Sequence, residues 1–293
     1  MPFSLFVQNV LNGAGLGLLY ALVAIGYTIV YGILRLINFA HGDIFMMAMF
    51  FVYYGAFLTP IPWGICAVLA IGLTILLGVT IERVGYRPLR GAPRVSGLCA
   101  AIGMSFFLEN FAIVVFGGRP KPFLYPDVLD KVVIIAGIHI RAITFITPVV
   151  CVVALLGLNY LIHRTKMGLA MRAASRDFDT ARVMGVDINK TVSFTFGIGS
   201  GLAAIGAILW AARYPQIHPF IGVFPGWKAF TAAVIGGIGS INGAIAGGFL
   251  IGFFTIMLVA FFPSLSGYKD VFVFVILIVT LLLKPTGLFG ELE

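Results

Sequence analysis

Charged side chains are scarce: Asp, Glu, Lys and Arg make up 10% of the 293 residues, against about 25% in an ordinary soluble domain. A water-soluble fold of this length must cover its surface with polar groups, and 19 basic plus 11 acidic residues cannot do so. A soluble globular protein is excluded. Cysteine is scarce as well. Cys66, Cys99 and Cys151 fall inside apolar runs with no pairing rhythm and no His at ligand spacing, so neither a disulfide framework nor a metal site is expected. They read as core fillers. No HExxH, GxSxG or phosphate-loop motif is present, and no catalytic residue or cofactor is expected. The opening MPFSLFVQNV has neither a basic leader nor a small-residue cleavage site, so the first apolar segment is expected to remain as a helix.

What is present is apolar sequence, 60% of the chain, with 36 glycines. Pro2–Leu34, Ile44–Ile81, Ala142–Ile162, Thr191–Ala212 and Ala229–Tyr268 contain no charge at all. A helix needs about 20 such residues to cross a hydrocarbon core of ~30 Å. Thr59-Pro60-Ile61-Pro62 divides the second run into two spans, because proline removes donors and stops helices. Val95–Phe116, interrupted only by Glu109, makes another span, and Val271–Leu283 a last short one. Near the C-terminal third, Gly236, Gly237, Gly239, Ser240, Asn242 and Gly243 fall within eight residues. Such a run is expected to break a helix, giving a half-helix from about Phe230, a break, and a full helix to about Phe262. Irregular backbone at membrane depth is tolerated only against protein or a water-filled path. The expected fold is an all-α, polytopic transmembrane bundle of eight spans plus this broken or re-entrant piece, forming one transmembrane domain over residues 1–293. No internal repeat is visible in the sequence.

The net charge of +8 comes from short loops between spans, so it reads as membrane orientation rather than nucleic-acid binding. Arg83, Arg87, Arg90 and Arg94 mark one cytoplasmic loop, and the segment 164–190 a second. Two crossings separate them, and three precede the first, which puts the N-terminus outside and the Pro-rich segment 117–141 in an outer loop. The C-terminus is inside if the Gly-rich piece is re-entrant and outside if that helix merely kinks and crosses. Gly13/Gly17, Gly197/Gly201, Gly243/Gly247 and Gly248/Gly252 each sit four apart, the spacing that lets helix backbones approach in lipid.

Ionisable groups within spans flag function because they are costly there, and the runs offer almost only Glu109, read as a partner to an Arg or to an amide such as Asn110. His41-Gly42-Asp43 reads as the polar start of the second span, with Asp43 at the positive end of the helix. In the second basic loop, Asp177 can cap a short helix, Asp179 suits its first turn and Gly185 can end it. Phe178, Ala181 and Met184, three apart, would give that helix an apolar stripe. A two-turn helix cannot stand alone in water, so it must dock on its own bundle or in a partner's groove; the residues leave that choice open.

Four stretches together resemble one known family. Tyr20–Thr28 continuing through Tyr31-Gly-Ile-Leu-Arg-Leu-Ile-Asn38-Phe-Ala-His41-Gly42, the loop Asp177–Val186, Ala232–Ser240, and Lys284-Pro-Thr-Gly-Leu-Phe-Gly290 are similar, in order and over essentially the whole chain, to the LivH-type permeases of branched-chain amino-acid ABC importers. The resemblance implies a type II importer fold in a bacterial inner membrane. It also implies a passive conduit paired with a second, LivM-like permease, seated on two cytoplasmic ATPase subunits and fed by a periplasmic substrate-binding protein. ATP hydrolysis would lie in the partners and not in this chain. The helix carrying Asp177, Phe178, Asp179, Ala181, Arg182, Met184 and Gly185 then corresponds to the coupling helix. Asn38 and His41, with Gly236, Gly237, Gly239 and Ser240, are expected near the path, and a bulky residue at Gly237 is expected to abolish uptake. Urea, short-chain amides and other neutral amino acids remain alternative substrates within the resemblance. An ion-coupled secondary transporter is the competing class, disfavoured by the lack of ionisable groups in the spans.

Overall fold

The computed structural model of the chain describes residues 2–135 and 138–290. Eight helices in it are long and apolar enough to cross a membrane, at the eight places where the charge-free runs put them. In chain order these are α1 (Phe3–Leu34), α2 (His41–Leu58), α3 (Trp63–Ile81), α4 (Arg94–Phe116), α5 (Ala142–Arg164), then the short α6 (Lys166–Arg176) and α7 (Phe178–Val183). They are followed by α8 (Ile188–Arg213), the half-length α9 (Val223–Gly236), α10 (Ile241–Phe261) and α11 (Lys269–Leu283). The outer loop holds β1 (Lys121–Pro122) and the antiparallel hairpin β2 (Val132–Ile135) with β3 (Ile138–Arg141); β4 (Gln216–Ile217), after α8, pairs with β1.

α1 and α8 form the buried centre. Their antiparallel course is fixed by three meetings: Gly26 against Gly199, the Tyr20 and Trp210 rings with centroids 5.8 Å apart, and Arg213 donating to Asn12 Oδ1 at 3.0 Å. α10 lies along α1, and α3 along α8. In lipid no hydrophobic force drives helices together, so small residues that admit close backbones set these seams. Gly17 packs on Phe249, Gly248 on Ala21, Gly252 on Gly17, and Gly247 on Ala232 of α9. Cys66 and Cys151 are buried, as expected, whereas Cys99 faces outward.

The helix packing holds a repeat that is not visible in the sequence. α1–α4 and α8–α11 are built alike and run in opposite directions. α2 packs on α3 and α8, and α9 packs on α10 and α1; α4 leans on α2 as α11 leans on α9; α2 and α9 touch each other. This is an inverted-topology pair, the arrangement that places irregular backbone and half-helix ends at a bundle's middle.

The chain after α11 turns back: the Leu288 and Phe289 amides donate to the carbonyls of Ile235 and Gly236 at the end of α9, at 2.8 and 2.9 Å. A cavity beside this contact is lined by Arg35 and Arg176 as well as Pro285 and Phe289. Residues 285–290 therefore share the end of the bundle that carries the basic segments, and the chain reaches that end because the stretch from β4 at the outer end through α9 runs to the basic end. This ninth transit, and not a re-entrant return to the outer side, is what an inside C-terminus requires, which corrects the expected link between re-entry and that side.

Candidate functional site

At the basic end, α6 and α7 form a capped helix pair. Thr165 caps α6 by accepting from the Gly168 amide at 3.0 Å, and Met171 and Ala174 bury its inner face. Asp177 caps α7 by accepting from the Asp179 amide at 2.9 Å and from the Thr180 hydroxyl, while Gly185 adopts the left-handed φ of 85° that ends it. These two bonds, the Thr180 hydroxyl first, hold the Asp177 carboxyl below the usual carboxylate range. A depressed folded-state pKa means the cap is intact above the ordinary carboxylate pKa and is lost only as strongly acidic solution protonates it. The expected stripe is split. Ala181 is buried and Phe178 packs on the core, but Met184 is 78% and its neighbour Val183 87% exposed. They stand among exposed Asp179, Arg182, Asp187 and Lys190, which rules out lipid as their surroundings. An exposed apolar pair in a polar setting marks a contact surface.

A second set of predicted residues, Asn38 and His41, lies deep in the bundle. After α1 ends at Arg35, the chain climbs back into the bundle before α2 begins. Asn38 is buried and accepts from the Tyr86 hydroxyl at 2.8 Å. His41 is buried against Gly26, its ring 4.6 Å from that of Tyr27, with Nε2 left without a hydrogen-bond partner. The first turn of α2 then meets the first turn of α9: a Cβ on Gly222 would strike the Gly42 carbonyl, and one on Gly42 would lie 2.7 Å from the Gly222 carbonyl. Asp43 is 2% exposed and accepts from the hydroxyl of Ser105, midway along α4. The His41–Asp43 turn is thus not at a membrane boundary but at the middle of the spans, where the positive ends of α2 and the half-length α9 meet. A cavity of about 370 Å³ opens there, lined by Tyr27, Phe39, Asp43, Ser105, Glu109 and Trp227 among others. Among the described residues Glu109 has no Arg partner, and the Asn110 side chain donates to the Phe106 carbonyl, so the expected pairing of Glu109 is not formed there.

The third set, Gly236, Gly237, Gly239 and Ser240, forms the turn between α9 and α10, at the basic end and apart from His41. Gly237 and Gly239 take φ of 106° and 100°, and Ser240 caps α10 by accepting from the Gly243 amide at 3.1 Å. A Cβ on Gly237 would lie 2.5 Å from the Gly290 amide nitrogen. Gly237→Val is therefore expected to strain the turn and free residues 285–290, seen as faster carboxypeptidase or C-terminal tag cleavage than in wild type.

A family described as "Branched-chain amino acid transport system / permease component" matches residues 9–281. The chain belongs to that permease family. The Pseudomonas aeruginosa high-affinity branched-chain amino acid transport system permease protein BraD is 40% identical, the match covering 98% of this chain and 97% of BraD. LivH permeases of Salmonella typhimurium and Escherichia coli are 39% and 37% identical over 99% of this chain and 97% of theirs. Among solved structures, PsaBC from Streptococcus pneumoniae in complex with Fab aligns with a TM-score of 0.51 at 14% identity, covering 96% of this chain and 92% of that one, which shows a shared fold.

In this permease family member, three ionisable residues escaped the sequence reading, Glu82, Lys228 and Asp270, and a fourth, Asp43, was read only as a helix start. Each of the three sits at the edge of a charge-free run, so each looked like loop. Lys228, buried in α9, pairs with Asp270 of α11 at 2.6 Å. The Glu82 carboxylate is fully buried between Arg87, Arg90 and Ser193. A charged group at a helix centre costs roughly 2.5–3.5 kcal/mol on insertion scales, which is why such groups carry partners or purposes.

Proposed function

We propose that this chain is a permease subunit of an ATP-binding cassette importer of the bacterial inner membrane, passing branched-chain or other neutral amino acids into the cytoplasm. It works with a second, LivM-like permease, two cytoplasmic ATPase subunits and a periplasmic substrate-binding protein. The observation that carries the mechanism is the two-sided α7: Phe178 and Ala181 hold it to the bundle while Val183 and Met184 face outward. Nucleotide-driven movement of a partner gripping that outer side would be passed through α6 and α8, against which the helix pair rests. Asp177 and Gly185 fix the helix ends, and Asp179 and Arg182 offer charge to the partner's rim. The conduit wall is mainly apolar, as aliphatic side chains require. Asn38 and His41 stand near the conduit, buried behind its wall, and the Gly236–Ser240 turn lies near its cytoplasmic end.

Co-expressed with its partner subunits and reconstituted in proteoliposomes, the chain is expected to support leucine uptake that needs both internal ATP and external binding protein. Met184→Asp is expected to reduce uptake at least tenfold and to release the ATPases on gel filtration, with the permeases still in the membrane. Concentrative uptake by this chain alone, or full coupling in Met184→Asp, would falsify the reading.

A further inference from the structure

The cavity where α2 and α9 meet contains two carboxylates and no cation. Asp43 is bonded to the Ser105 hydroxyl, and among the described residues neither it nor Glu109 has a basic partner. Lys228, the one basic residue on α9, is committed to Asp270. A buried carboxylate without a counter-charge is costly, and at Asp43 only the partial charges of the α2 and α9 N-termini and the Ser105 hydroxyl offset that cost.

The remaining wall says what kind of group fits. Tyr27, Phe39, Trp227 and Phe230 present aromatic rings, and Ile102, Phe106 and Val223 complete an apolar surface. Rings beside carboxylates favour an ammonium, which binds to the negative faces of aromatics as well as to the acids. On the other side, α2 and α9 bring their positive ends to Gly42 and Gly222, where a half-helix N-terminus favours an anionic group. At about 370 Å³, the space is in the ordinary small-ligand range of ~300–1,000 Å³.

We propose that this junction is a resting site for a zwitterionic amino acid in transit, with Asp43 and Glu109 receiving the ammonium and the aromatic wall receiving the aliphatic side chain. The proposal rests on the amino-acid permease reading above, under which the second permease closes the open side where Phe106 and Trp227 are exposed. It differs from that reading in giving the conduit two specificity-determining acids. Substrates lacking an ammonium would leave the buried Asp43 and the half-buried Glu109 without a counter-charge.

Trp227 supplies a direct probe, because the chain has three tryptophans and Trp227→Phe identifies its signal. In the assembled permease pair in nanodiscs, isoleucine and isoamylamine are expected to perturb Trp227 emission, whereas isovalerate, which lacks the ammonium, is not. Asp43→Asn and Glu109→Gln are each expected to weaken the isoleucine response tenfold or more, and Asp43→Asn to reduce leucine uptake by a similar factor. Should Asp43→Asn fail to assemble, Glu109→Gln and the ligand series on the unaltered protein still decide. Equal responses to isoamylamine and isovalerate, or unchanged isoleucine binding in Glu109→Gln, overturn the proposal. A response to both amines without any amino-acid uptake by the assembled importer would instead sink the permease reading and leave an ammonium site standing.

Discussion

Gly252→Val is expected to abolish the folded protein, leaving no monodisperse peak when membranes are solubilised and run by size exclusion. Gly252 lies on the seam between α10 and α1, where an added Cβ would run into the Gly17 amide nitrogen and Cα. The obstacle is backbone on a central, buried helix, so no side chain can rotate away. Overpacking a well-packed core typically costs 1–3 kcal/mol, and a collision that must separate two helices along their length exceeds that range. Neighbouring contacts compound it: Gly248 meets Ala21 and Gly17 meets Phe249 in the same seam, so relief at one position tightens another. The effect should be graded by what each glycine faces. Gly201→Ala, whose Cβ would meet the Ile75 side chain at 3.3 Å, asks a flexible group to give slightly and is expected to cost little stability. Gly72→Ala and Gly103→Ala have nothing within 4 Å and are expected to purify like wild type. A Gly252→Val protein that chromatographs normally would mean that α1 and α10 do not touch as described.

That gradient was only half legible in the sequence. The four-residue glycine spacing identified the seams, because close approach in lipid demands small residues at that period, but it could not say which seam meets backbone and which a side chain. The eight spans were legible for a simpler reason: lipid taxes charge, so charge-free length reports them. The α7 helix was legible because Asp177 and Gly185 are local signals whose meaning does not depend on the rest of the fold. The junction was not. His41-Gly42-Asp43 at mid-bundle is spelled as it would be at a membrane boundary, and only contact with Gly222, far along the chain, distinguishes the two. α9 was shortened to begin at Phe230 because Lys228 ends the uncharged run, although pairing with Asp270 allows a lysine inside. The inverted repeat left no trace because its halves share backbone paths and not side chains: α2 opens His-Gly-Asp-Ile-Phe-Met and α9 Val-Phe-Pro-Gly-Trp-Lys.

Glu82→Ala is expected to be the most damaging loss of a single charge. The residue sits where α3 widens into a π-helical turn, Glu82–Tyr86, and its carboxylate accepts from Arg87, Arg90 and the Ser193 hydroxyl. Arg90 continues to Asn189 Oδ1 at 2.6 Å, in the first turn of α8. One acid therefore ties the basic end of α3 to the start of α8, two residues from the Asp187 cap that follows α7. Arg90 is half-buried, and burial pulls its pKa down while Glu82 pushes it up. Without Glu82 the desolvated guanidinium has no counter-charge. Removing one partner of a buried pair costs roughly 3–5 kcal/mol; the partly hydrated Arg87, with its side chain 35% exposed, places the expected loss at the low end. A loss of about 3 kcal/mol corresponds to a fall in Tm of roughly 6–12 °C for a chain of this size. Adding Arg90→Met should recover most of that loss, since replacing a buried pair by apolar groups is often close to neutral. A charge that merely decorated the loop would give a different pattern, with the single variant melting like wild type and the double variant no better. If the pair instead anchors the frame against which α7 moves, the double variant should regain stability yet remain slow in ATP-driven uptake, separating the strength of the bundle from its connection to the motor.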